Sequence, residues 1–169
     1  MAKKPVILIT RAMPQAVSFA QDVHEIGFDT VIQPLSRTEI VHGDFPCDID
    51  GYDGLVFTSA NALAALTDRA DDLSSLSSFP VYAVGPQTAA AAAMAGFTNI
   101  TEAAGTAESL ETLLCALPSQ TRLLYVSADY VSYDFDKART VITLDRQVIY
   151  KTIYEKTLPQ AIADVLIQG

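Results

Sequence analysis

Positive charge is scarce in this chain of 169 residues: 11 Lys and Arg face 20 Asp and Glu, for a formal net charge of −9. Proteins that hold nucleic-acid backbones draw their affinity from clustered Lys and Arg that release counterions, and no basic stripe occurs here, so non-specific nucleic-acid binding is excluded. The same acidity gives no help to a polyanionic ligand, whose site would have to rest on local amides, hydroxyls and a few arginines such as Arg11. Cysteine occurs twice, as Cys47 and Cys115. The pair shows no metal-ligand spacing and makes no disulfide framework, which fits a reducing cytoplasm. The two histidines, His24 and His42, lie far apart and read as surface residues, His24 on the solvent side of the first helix. No run approaches membrane-spanning length, and the apolar stretch after Lys3 and Lys4 is too short for a secretory signal. A soluble, cytoplasmic protein with no membrane partner is expected. Also missing are a G-x-G-x-x-G turn after a strand, a Walker A loop, H-E-x-x-H, C-x-x-C and a nucleophile elbow. The carboxylate groupings at Asp68, Asp71 and Asp72, and at Asp134 and Asp136, sit in polar stretches that water would cover, and no metal site is read from them.

What the chain does have is an alternation of short apolar runs with helical patterns. Half of its residues are apolar, enough for a real core. Val6–Thr10 reads as a strand buried on both faces, and Pro14 opens a helix carrying Val17, Ala20 and Val23 that ends at Gly27. The segment 29–41 is long, β-branched and broken by Pro34, as suits a chain leaving one sheet and crossing to another. Strand 53–59, helix 60–70, strand 81–85, helix 86–95 stopped by Gly96, and strand 99–102 follow. Thr106 is the expected cap of helix 107–117, with Glu108 and Glu111 in its early turns and Pro118 past its end. After strand 122–127, the segment 129–146 predicts another helix over 130–139 and an extended stretch at 140–144. A second long β-rich segment, 147–156, precedes a helix at 158–168 with Leu158, Ile162, Val165 and Leu166 on one face. Two extended segments flanking a complete α/β unit predict one parallel-sheet domain inserted into another through a two-stranded ribbon.

Two stretches share a design: DGLVFTSANAL (53–63) and VYAVGPQTAAA (81–91) each run from a short strand through a small polar turn into a helix. Such turns aim free backbone N–H groups and the positive end of a helix dipole at whatever lies beyond the strand, and so favour anions. Together with ILITRAMPQ (7–15), GTAESLETLL (105–114) and VIYKTIYEK (148–156), in this order and spacing, they resemble the uroporphyrinogen-III synthase family over nearly the whole chain.

The resemblance implies two small α/β domains joined by a two-stranded ladder, with the active site in the cleft between them. It also implies a cofactor-free, cytosolic lyase that dehydrates and closes linear hydroxymethylbilane to uroporphyrinogen III while inverting the last pyrrole ring. The residues that match are Tyr154, in the position of a tyrosine that assists hydroxyl departure, with Tyr150 competing for that alignment; Thr58, Ser59, Ala60 and Asn61 in one strand-end turn; Pro86, Gln87 and Thr88 in the other; and Arg11 after the first strand. Family members continue well past Gly169, so the resemblance implies an incomplete first domain (1–37 and 156–169) around a whole second one (38–155). Family members are expected to be monomeric, whereas the apolar face left on such a remnant would favour self-association. Two other classes share the pattern. One is a non-catalytic module that uses the same turns to hold an anion or tetrapyrrole, or a truncated synthase fragment that lacks normal activity alone. The other is a receiver-like or flavodoxin-like domain, disfavoured because the strand ends carry Thr10, Ser59, Gly85 and Ser127 rather than an acidic cluster.

Overall fold

The computed structural model describes residues 5–13, 15–41, 49, 51–69, 73–160 and 162–163. Pro14, His42, Cys47, Asp71, Asp72, Val165 and Leu166 lie outside them, as does most of the helix expected at 158–168, of which Gln160, Ile162 and Ala163 are helical. The chain divides into two compact units, Met1–Glu39 with Thr152–Gly169, and Ile40–Lys151.

In the first unit, β1 (Val6–Ile9) and β2 (Asp29–Ile32) pair in parallel, Val6 opposite Asp29 and Ile9 opposite Ile32. The helix α1 (Gln15–Glu25) connects them and ends at Gly27, whose φ of 96° suits only glycine without strain. Ile9, Ala16 and Ala20 form its small buried cluster. Two expectations fail here. Val17 is 39% exposed and Ala16 is buried in its place, while Ala20 and Val23 face inward as expected. Strand β1 is not buried on both faces, since Val6 is 46% exposed and Ile9 is its one buried residue. Among the described residues β1 has a single strand neighbour, so the apolar run outstrips the cover available to it.

Pro34 breaks the 29–41 segment as expected, separating β2 from β3 (Ser36–Ile40). Strand β3 lies at the edge of a six-stranded sheet next to β8 (Thr143–Tyr154). The amide of Val41 donates to the Ile149 carbonyl and that of Glu155 to the Leu35 carbonyl; numbers rise on one strand as they fall on the other, so this ladder is antiparallel. The chain passes between the two units along it.

The second unit is a doubly wound parallel sheet. Its strands are β4 (Gly54–Phe57), β5 (Val81–Ala83), β6 (Ile100–Glu102), β7 (Arg122–Ala128) and β8, in the spatial order β8-β7-β4-β5-β6. All four neighbouring pairs are parallel. The first strand, β4, thus sits in the middle, and the winding reverses between β4 and β7. Helices α2 (Ala60–Arg69), α3 (Pro86–Met94) and α4 (Ala107–Cys115) make the first three crossovers.

Alternation along the strands builds a core on each face. Leu55, Phe57, Leu124 and Val126 pack with Leu63, Leu66, Ala92 and Phe97 on one side. Val56, Leu123 and Tyr125 pack with Leu110, Leu114, Phe135 and Ile142 on the other. Each fully buried Val, Leu, Ile or Phe side chain among them contributes on the order of 1.5–3 kcal/mol of transfer free energy. Thr106 caps α4 as expected, accepting from the Ser109 amide at 3.2 Å, while Ser109 Oγ accepts from the Thr106 amide at 3.2 Å. Gly85, the residue before α3, is glycine for reasons of space: a Cβ there would lie 2.8 Å from the Cα of Gly105.

The fourth crossover departs from the sequence reading. No α-helix forms over 130–139; the chain runs irregularly from Asp129 to a single 3-10 turn at Ala138–Thr140, and β8 starts at Thr143. Long-range anchors replace helical hydrogen bonds. Phe135, at φ 56°, drops into the core with Ala138 and Ile142. Glu111 on α4 accepts from the amides of Lys137 at 2.8 Å and Ala138 at 3.3 Å. At the start of the segment Arg146 donates to the carbonyls of Ala128 at 2.6 Å and Asp129 at 2.7 Å, and to Ser127 Oγ at 2.8 Å.

Candidate functional site

In an open parallel sheet a ligand crevice opens beyond the carboxyl ends of the strands, where the winding reverses. Here that point lies between β4 and β7, and a cavity of about 290 Å³ occupies it. Thr58 from the end of β4, Tyr125 and Ala128 from β7, and Tyr150 from β8 meet there with Val84 and Gly105. The irregular segment closes one side with Tyr130 and Tyr133.

The phenols are held in place by named partners. Thr58 Oγ1 and the Tyr125 hydroxyl lie 2.8 Å apart and share a hydrogen bond. Burial pushes the Tyr125 phenol up, against the opposing pull of Thr58 and of the Arg146 charge. Tyr150 is 5% exposed, and burial raises its phenol too, offset in part by its hydrogen bond with Ser59. Ser59 Oγ in turn accepts from the Asn61 amide at 3.1 Å, a cap on α2. Both phenols therefore stay protonated at neutral pH and can donate. Tyr133 donates to Glu111 Oε2 at 2.5 Å, and this bond, then burial, pushes its phenol up to about 12. Burial alone would raise the Glu111 carboxyl, but Tyr133, the amides of Ala138 and Lys137 and the Lys137 charge together hold it below the ordinary range.

The residues singled out in the sequence scatter around this cavity rather than filling it. Thr58 lines it; Ser59 supports Tyr150 from behind. Ala60 and Asn61 form the first turn of α2, partly buried. Pro86 and Gln87 are exposed at the start of α3, whereas Thr88 is 5% exposed and packed inside, away from the cavity lining. Pro86 carries no N–H, so the first amides α3 can offer an anion are those of Gln87 and Thr88. Arg11 and Tyr154 belong to the first unit. The Arg11 guanidinium lies over the Phe19 ring at 5.7 Å. Tyr154, at the very end of β8, is 71% exposed, and of the two tyrosines competing for one alignment it is Tyr150 that lines the cavity.

The sequence reading missed Tyr125, Tyr130, Tyr133 and Glu111. Two of them left a trace: Tyr125 interrupts the apolar run of residues 123–126, and Glu111 falls on the apolar stripe of α4 beside Leu110 and Leu114, an odd place for a charge. Among the described residues no three His, Cys, Asp or Glu side chains gather as metal ligands, and no helix is long and apolar enough to cross a membrane.

Comparison with known proteins places the chain. The family model described as Uroporphyrinogen-III synthase HemD matches residues 17–169. A curated relative, uroporphyrinogen-III synthase of Chlorobaculum parvum, is 31% identical over 87 residues, a stretch covering 48% of this chain and 35% of that protein. Among solved structures, uroporphyrinogen-III synthetase from Helicobacter pylori matches with a TM-score of 0.58 at 20% identity, over 97% of this chain and 68% of that one. A mutant uroporphyrinogen III synthase from Thermus thermophilus matches with a TM-score of 0.62 at 19% identity, over 99% of this chain and 69% of that one. The matched stretch is thus about a third of the curated relative and about two thirds of the solved structures. Those structural likenesses carry the fold, an α/β architecture dominated by parallel sheet; the family model, spanning most of the residues, carries the membership. The chain belongs to the uroporphyrinogen-III synthase family.

Proposed function

We propose that the second unit forms the substrate-binding face of a uroporphyrinogen-III synthase, a cytoplasmic lyase that converts hydroxymethylbilane to uroporphyrinogen III with inversion of ring D. The observation that carries this is the protonated, anchored phenol of Tyr150 in a cavity at the winding reversal of the sheet.

The reaction asks little of acid–base groups. Loss of hydroxide from a hydroxymethylpyrrole is driven by the lone pair of the ring nitrogen, and the departing oxygen needs a proton or a strong hydrogen bond. Tyr150 supplies that donor, oriented by Ser59, and takes the role that the family resemblance had attached to Tyr154. Carboxylates on the substrate rings are met by the amide ends of α2 and α3, at residues 59–60 and 87–88; with few cations in the chain, backbone dipoles carry this recognition. The remaining task is conformational. The open chain must be folded so that direct end-to-end closure, which yields the type I isomer, loses to closure with inversion.

The test is incubation with enzymatically generated hydroxymethylbilane and chromatographic separation of the isomers. Excess type III over a protein-free blank is the expected result. An isomer ratio equal to the blank overturns the reading, and tight tetrapyrrole binding alongside that blank ratio would mark the chain as a binding module instead.

A further inference from the structure

The cavity is small and carries no charge. Its 290 Å³ falls at the floor of the range for sites that enclose a whole small ligand, roughly 300–1,000 Å³, so it takes one part of an open-chain tetrapyrrole. Its walls are Tyr125, Tyr130, Tyr133, Tyr150, Val84 and Val131, and no Lys, Arg, His, Asp or Glu among the described residues lines it. A carboxylate moved in would lose its water without gaining a counter-charge. An electron-rich aromatic ring would find edges and faces to pack on. The existing rings already pack that way: Tyr125 and Tyr133 each meet Phe135 edge-on, with centroids at 5.3 and 5.1 Å and planes at 75°.

We propose that this cavity is a subsite for the heteroaromatic ring of one pyrrole unit, walled by Tyr125, Tyr130, Tyr133 and Tyr150, with the ring's carboxylate arms left outside it. The inference rests on the synthase reading for the identity of the ligand and adds where one ring goes. Its outer wall is the irregular segment between β7 and β8, and Glu111 is the positioning residue of that wall. The 4% exposed Glu111 carboxylate ties Tyr133 and the amides of Lys137 and Ala138 to α4, so the Tyr133 ring is presented without a helix beneath it. The division of labour follows from the chemistry: apolar ring into the neutral cavity, anionic arms to the helix ends and solvent.

Two probes separate ring from arms. 3-Ethyl-2,4-dimethylpyrrole has a ring and no charge; tricarballylate has three carboxylates and no ring. Saturation-transfer NMR on the chain should show the pyrrole bound, and tricarballylate should fail to displace it. Tyr130→Ala and Tyr133→Leu should each weaken the pyrrole by about three- to tenfold, the range for losing one aromatic partner. Tyr130 is 79% exposed, so its replacement leaves the core intact even if Tyr133→Leu unsettles the segment. Undetectable pyrrole binding, displacement by tricarballylate, or unchanged affinity in Tyr130→Ala would each overturn the subsite. Type III product without pyrrole binding sinks the subsite and spares the synthase reading; pyrrole binding without type III product does the reverse.

Discussion

Tyr150→Phe should lower type III turnover by about a hundredfold or more, the usual worth of a positioned proton donor, while Tyr154→Phe should leave it within about twofold. The two substitutions are chemically identical and four residues apart on one strand, so the contrast isolates place. Tyr150 is 5% exposed, lines the cavity and bonds to Ser59, whereas Tyr154 is 71% exposed in the other unit. Stability should scarcely register the change at Tyr150. The ring and its packing remain, and one hydrogen bond contributes about 0.5–1.5 kcal/mol, a shift of roughly 1–6 °C in melting midpoint for a protein of this size. The measurement is isomer-resolved turnover beside a thermal melt for each variant. A loss at Tyr154→Phe that matches or exceeds the loss at Tyr150→Phe would return the catalytic role to the exposed residue.

Glu111→Leu should be the most damaging single change to the second unit outside its apolar core. It strips acceptors from the Lys137 and Ala138 amides and from the Tyr133 phenol, and of these the buried Ala138 amide, left without a partner, costs about 1–3 kcal/mol. Glu111→Gln, which keeps one acceptor oxygen, should cost roughly half as much. A pH signature accompanies the loss. The folded-state pKa of Glu111 is lowered from 4.5, so its contribution is full above that value and drains away as pH falls through the folded pKa. Tyr133 is raised from 10.0 to about 12, so its contribution is full below 10 and is lost as pH rises towards 12. Urea midpoints measured from acid to alkaline pH should converge for the parent and Glu111→Leu at both ends and differ most between pH 5 and 9. Parallel curves across the range would show that the carboxylate does not hold the segment.

Much of the second unit was legible because its signals are local. A glycine- or serine-containing turn between an apolar run and a helical pattern places β4 with α2, and β5 with α3, to within a residue or two. Thr106 announces α4, and Pro34 announces the break before β3. The segment after β7 gave no such signal, since its order depends on partners distant in sequence: Glu111 is 26 residues from Lys137, and Arg146 is 17 from Asp129. Reading a helix there followed the alternation of strand and helix along the chain, and tertiary anchors overrode it. The tyrosine of the site was ambiguous for a geometric reason. Positions 150 and 154 share a face of any strand, so alternation cannot choose between them, and only their depth along β8 does. Thr88 reads as a turn residue in sequence, and the packing of α3 takes its side chain inside.

Gly85 and Gly105 touch backbone to backbone, and α4, which begins just beyond Gly105, carries Glu111 one turn further on. A larger residue at 85 would have to displace the backbone at Gly105, just ahead of α4, and any shift of that helix carries Glu111 and its bond to Tyr133 with it, so the room left by one missing side chain is felt in the wall of the cavity.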